Sequence, residues 1–159
     1  MPSNKIYKYQ IRLKQAFKQY GEIPDELDYL KGQWPRYLCV LVSGYVEVAI
    51  STILSDYAEK CANKHVAKYV DRNLSRLQNA NMHRIVEIIG QFNSDWGKIM
   101  EEKTAGQLKD SIDSIANNRN QIAHGQDVGI GFTQIKGYYD DAEKVIRMLQ
   151  GICENSPPA

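Results

Sequence analysis

A chain of 159 residues, 43% hydrophobic and 25% charged, has the size and composition of one soluble globular domain. A net charge of +1 excludes wholesale attraction to nucleic acid or acidic surfaces, so any such affinity must be local. Cys39, Cys61 and Cys153 are far apart, form no CxxC, and lack zinc-ligand spacing with His65, His83 or His124; they fit a reducing cytoplasm, without metal or cofactor.

Taken in chain order, the pattern is helical nearly throughout. The polar start "MPSNKIYKYQ" has no apolar signal-peptide segment. Ser3 caps a first helix with Ile6, Tyr9, Leu13, Phe17 and Tyr20 on one face and Gly21 as its stop. "EIPDELDYLK" reads as a turn and a short helix, after which Trp34-Pro35 opens a long helix to about Lys60. Its core face is Leu38, Leu41, Val42, Tyr45, Ala49, Thr52 and Ile53. The apolar run "YLCVLVSGYVEVAISTIL" carries Ser43 and Glu47, which makes it too polar for a membrane span. A basic helical segment follows from Lys60 to Arg76, interrupted near Asn73. "NMHRIVEIIGQF" is a further helix, and Ser94 caps a short one. "TAGQ" (Thr104 to Gln107) fits a capping box for a helix that ends at Gly125. After the loop "QDVGIGF", Thr133 caps a last helix with Ile135, Tyr138 or Tyr139, Ala142, Val145, Ile146 and Leu149 inward. The expected architecture is an all-α compact bundle of five to seven helices, one domain over residues 1–153 with a disordered tail at 154–159.

The informative segment is "SIANNRNQIAHGQ", residues 114 to 126. On a helix, Leu108, Ile112, Ile115, Arg119 and Ile122 share one stripe, so Arg119 occupies an apolar position. A desolvated cation needs a partner. Glu47, a lone carboxylate in the long apolar helix, needs one too, which predicts an Arg119–Glu47 pair between the two helices. His124 is about 140° around the helix from Arg119 and lies four residues beyond Asn120. A histidine at a helix C-terminus is commonly only a partner for the helix dipole.

The whole string says more. "RNQIAHG" (Arg119 to Gly125) resembles the Arg-Asn-x-x-x-His signature of HEPN domains, in the Ile-Ala-His-Gly form of their RiboL-PSP-like branch. "LVSGYVEVAISTIL" (Leu41 to Leu54) resembles that family's long early helix with its Glu, and "FTQIKGYYDDAEKVIRML" the helix after the motif. The resemblance implies a helical bundle that dimerises, with the site at the dimer interface, and that is often a metal-independent endoribonuclease. Arg119 and His124 would be the catalytic pair, Asn120 the polar residue after the Arg, and Glu47 the early-helix acid. Gln126 stands where toxin–antitoxin members often carry a Tyr, so regulation through such a Tyr does not carry over. The implied role is a toxin or antiviral-defence effector, with an antitoxin or defence partner. The alternatives are a non-catalytic RNA- or nucleotide-binding or partner-regulating module, and a purely structural dimerisation domain with Tyr45 and Trp96 among its candidate contacts.

Local charge supplies a candidate RNA surface. Residues 60 to 84 hold six Lys or Arg against one acid, so the rest of the chain is net negative. Lys60, Lys64, Lys68, Arg72 and Arg76 recur at every fourth position, a basic ridge if the segment is one helix. The bland alternative is a solvated helix face. "GIGF" (Gly129 to Phe132) reads as a flexible connection near the site.

Overall fold

The computed structural model describes residues 3–156 and contains seven α-helices: α1 (Asn4–Glu22), α2 (Asp28–Cys61), α3 (Lys64–Leu74), α4 (Met82–Phe92), α5 (Ser94–Thr104), α6 (Gln107–Ala123) and α7 (Phe132–Glu154). No strand occurs among the described residues. The all-α bundle expected from the periodicity is therefore the observed fold. Glu154 closes α7, and residues 157–159 lie outside the described residues.

α2 is the axis of the molecule, and α1, α3, α6 and α7 all pack against it. Leu38, Cys39, Val42, Tyr45, Ala49, Ile50 and Leu54 are completely buried along it. Ile112 and Ile115 of α6 and Ile135, Ala142, Val145 and Leu149 of α7 join the same core. Burying each such aliphatic side chain favours the fold by about 1.5–3 kcal/mol. By length and composition α2 could cross a membrane, yet 67% of its most apolar window is covered by the rest of the bundle. That burial is the ordinary condition of a core helix.

Several helix ends differ from the sequence expectation. Ser3 does cap α1, its hydroxyl accepting from the Ile6 N–H at 3.3 Å. Gly21, however, stays helical, and α1 ends at Glu22, where Ile23 precedes Pro24 and is driven out of the helical region. α2 opens at Asp28, after a 3₁₀ turn over Asp25–Leu27, so Pro35 lies inside it. Pro35 contributes no N–H to the α2 ladder, and the neighbouring Trp34 ties this part of α2 to α1, its indole N–H donating to the Ala16 carbonyl at 2.9 Å. Asn93, not Ser94, caps α5, accepting from Asp95 and Trp96 N–H groups, and the same residue ends α4. The capping box is not formed. Thr104 is the last residue of α5 and donates to the Met100 carbonyl at 2.7 Å, and Gly106, at φ +94°, leads into α6. Thr133 is likewise already helical. α7 starts at Phe132, whose ring stacks on Tyr20 at 4.1 Å.

Glycine shapes one packing contact. A Cβ on Gly97 of α5 would sit 2.9 Å from the Gly90 Cα of α4, so these two backbones touch where a side chain would otherwise stand.

Candidate active site

α6 is held on three sides. Ser111 Oγ and Gln107 Nε2 donate to Asp141 Oδ2 of α7 at 2.7 and 3.1 Å. Asp113 accepts from the Met82 N–H at 2.8 Å, tying α6 to the start of α4. The buried Cys39 thiol of α2 lies 3.7 Å from the Ile115 carbonyl. Burial pushes the Asp141 carboxyl upward, but the Ser111, Gln107 and Lys144 donors outweigh it and hold Asp141 below the usual carboxylate range. Burial pushes the Cys39 thiol up to about 12 and the Cys153 thiol up to about 11, which keeps both as neutral thiols rather than nucleophiles.

The motif occupies the last turns of this fixed helix. Arg119 is half-buried, whereas Asn120 and His124 are exposed. His124 is the C-cap residue, with φ −90° and ψ 12°. Gly125 follows at φ +72°. The Gln126 N–H donates to the Gln121 carbonyl at 2.9 Å and the Gly125 N–H to the Ile122 carbonyl at 3.0 Å. Those paired bonds are a Schellman closure, which needs a left-handed residue after the cap and explains Gly125. No side-chain hydrogen bond or ion pair among the described residues engages Arg119, Asn120 or His124, so all three keep their polar groups for an outside partner. Asn120 and His124 stand on open surface, with Arg119 half-buried beside them. The clefts between α1 and α7, between α3 and α4, and at the C-terminal ends of α2 and α7 are lined by other residues.

The expected Arg119–Glu47 ion pair is absent. Glu47 Oε1 instead accepts from the Asn79 N–H at 2.7 Å. Asn79 is the one non-glycine described residue with positive φ, at 50°, and Glu47 braces that turn between α3 and α4. Arg119 needs no buried partner because it is only half-buried: its stem can lie along the apolar stripe while its head reaches water. Tyr45 and Trp96, candidates for a subunit contact, are core residues at 0% and 5% exposure.

A residue with no motif around it stands beside the site. Arg36 of α2 donates from Nη2 to the Gln126 carbonyl at 3.0 Å and from Nη1 to Gln33 Oε1 at 3.1 Å. Its Nη1 also lies 3.5 Å from the exposed Asp127 carboxylate. No sequence pattern marks it, since a charged residue near a helix start is ordinary and its partner is a main-chain oxygen. The following loop is not merely a loose connection: Val128 and Ile130 are buried at 9% and 6% exposure and anchor it to the core.

The basic segment is divided. Lys60 lies in the last turn of α2, Asn63 caps α3 through the His65 N–H, and Lys64, Lys68 and Arg72 form the continuous ridge on α3. Arg76 lies beyond α3. All five side chains are exposed, and none enters an ion pair among the described residues. The ridge is not adjacent to the motif. α3 meets α2 at Ser55, which donates to Asp71, whereas the motif loop meets α2 at Arg36. Those positions are about 28 Å apart along a helix rising about 1.5 Å per residue. Among the described residues, no group of three His, Cys, Asp or Glu converges as a metal site.

Comparison with known proteins places this geometry in context. A family model described as RiboL-PSP-HEPN matches residues 5–155, nearly the whole chain. No curated protein and no solved structure gives a match.

Proposed function

The chain belongs to the RiboL-PSP-HEPN family, and from that premise we propose that it is a metal-independent endoribonuclease. The observation that carries the reading is the Arg119–Asn120–His124 set, whose side chains form no hydrogen bond or ion pair among the described residues, at a helix end closed by its own backbone. Such a site can cleave RNA by using the ribose 2′-OH as nucleophile. The 2′-oxygen forms a bond to phosphorus as the bond to the 5′-oxygen breaks. A base removes the 2′ proton, and an acid delivers one to the departing 5′-oxygen. His124 is suited to either proton transfer near neutral pH. Arg119 can hold two phosphate oxygens through paired N–H donors as charge builds on them. Asn120, four residues before His124, is placed to orient the imidazole or the phosphate. Products carry 2′,3′-cyclic phosphate and 5′-hydroxyl ends.

A motif with one histidine lacks a second proton carrier, and a two-fold dimer supplies it. Leu30, Tyr37 and Val40 lie on one stripe of α2 and are 48%, 41% and 41% exposed, on the same helix as Arg36. We assign this stripe to a second copy of the chain, with the two motifs facing a shared cleft. The ridge of Lys64, Lys68 and Arg72, joined by Lys60 and Arg76, serves as the electrostatic track for the RNA backbone. The cellular role that fits is a toxin or antiviral effector in the cytoplasm, restrained by an antitoxin or defence partner.

The test is cleavage of RNA in excess EDTA by wild type, Arg119→Ala and His124→Ala, with end-group analysis. Loss of a general acid–base histidine should cost about 10²–10⁴-fold. Products with 5′-phosphates, or full activity in both variants, would refute the reading. If all three proteins are folded, dimeric and inactive on RNA, the motif serves a binding or partner-regulating module instead.

A further inference from the structure

We propose that Arg36 is a positioning residue for His124, acting through the backbone of Gln126; the inference rests on the reading of the motif as a catalytic site. A Schellman closure is usually braced by an apolar contact between the residue two beyond the cap and the residue three before it. Here those positions are Gln126 and Gln121, and neither supplies such a contact. Gln126 is instead held through both of its main-chain polar groups, one in each of the two peptide units that flank its Cα. Its N–H is taken by the Gln121 carbonyl at 2.9 Å, and its carbonyl by Arg36 Nη2 at 3.0 Å. The guanidinium is itself oriented, since Nη1 donates to Gln33 one turn earlier on α2. The Arg36 side chain is 21% exposed, and its bond to Gln33 is partly buried while the bond to the Gln126 carbonyl lies at the surface. α2 is tied to α1 here through the Trp34 indole, which donates to the Ala16 carbonyl. The result is a fixed bridge from the core helix to the chain two residues past His124. It sets where the C-cap residue, and hence the imidazole, stands relative to Arg119.

The carbonyl bond and the ion pair are separable. Asp127 is fully exposed and its pairing with Arg36 at 3.5 Å is a weak surface interaction. Asp127→Ala should therefore leave the bridge intact. Arg36→Ala removes it. Arg36→Lys keeps the charge but cannot donate in two fixed directions, so it should recover only part of the function.

The experiment combines steady-state cleavage with NMR of the histidine ring signals in wild type, R36A, R36K and D127A. In R36A, kcat should fall about 10- to 100-fold with KM little changed, the size expected from a small misplacement of a catalytic group. The His124 ring signals should shift or broaden, whereas those of His65 and His83, on α3 and α4, stay in place. R36K should lie between R36A and wild type, and D127A should match wild type. The inference is overturned if R36A leaves kcat and the His124 signals unchanged, if all three histidines move together, or if the loss lies wholly in KM. Should wild type fail to cleave RNA at all, the nuclease reading fails, but the His124 signals still decide whether Arg36 sets that side chain.

Discussion

Replacing Gly125 by alanine isolates the conformation of the helix end from its surroundings. A Cβ built on Gly125 meets nothing within 4 Å, so no clash contributes. What remains is the backbone: Gly125 has φ +72°, a region that costs an L-residue roughly 1–2 kcal/mol. Stiffening of the unfolded chain by alanine offsets about 0.4–1 kcal/mol of this, leaving a net loss near ~1 kcal/mol. With a urea m-value of about 1–3 kcal/mol/M for a small domain, the midpoint should drop by roughly 0.3–1 M at unchanged m. Gly125→Asn should lose less, because asparagine tolerates the left-handed region. Gly129→Ala is the control: its Cβ also enters open space, but its φ lies outside the left-handed range, so stability should hold or rise slightly. RNA cleavage should fall in Gly125→Ala and not in Gly129→Ala. A Gly125→Ala protein with wild-type midpoint and wild-type cleavage would refute the argument that this closure holds the site.

Glu47→Gln keeps an oxygen for the Asn79 N–H but removes its charge, and should cost about 1 kcal/mol by urea unfolding. Cleavage by that variant decides whether Glu47 also serves the site, since unchanged activity leaves it only the turn. Asp141 is ionised below the usual carboxylate range in the folded protein, so its contribution is present above the unfolded value of about 3.9 and is lost as pH falls through the folded value. Urea midpoints should therefore fall on acidification below about pH 4, and Asp141→Asn should flatten that decline while lowering stability at neutral pH. Lys64→Ala, Lys68→Ala and Arg72→Ala combined should weaken RNA binding and reduce the slope of log affinity against log salt by about 2, at about 0.7 per backbone contact. An unchanged slope would remove the ridge from the RNA path. Gly97→Ala places a methyl against the Gly90 backbone and should destabilise by about 1–3 kcal/mol, read by thermal or urea unfolding.

Local periodicity carried the helices, and it was enough to identify the inward residues of α2 and α7. Leu38, Val42, Ala49, Ile135, Ala142 and Leu149 are all buried as their spacing implied. Helix ends were harder to read, because each was decided by competition between neighbours. Asn93 takes the cap from Ser94, Thr104 bonds backward into its own helix, and α2 runs through Pro35 instead of starting there. The motif was legible as a string, since its residues lie within six positions. Their surroundings were not. Glu47 was paired with Arg119 on the premise that the guanidinium is desolvated, and half-burial removes that premise. Arg36 left no trace in the sequence because it grips a main-chain oxygen, which any residue at position 126 other than one that disrupts the turn could offer.

The hairpin of α4 and α5 differs from the motif end in the separation of its partners along the chain. Asn93 closes one helix and opens the next with no linker, and Gly90 meets Gly97 seven residues later. Such neighbours can meet with little loss of chain entropy, early in folding. The Arg36–Gln126 bond joins positions 90 residues apart. During synthesis from the N-terminus, α2 and the hairpin are complete well before Gln126 has been added, and the bridge cannot close until then. The bridge at the end of α6 thus closes only once the chain extends past Gln126, after α1 to α5 have been made.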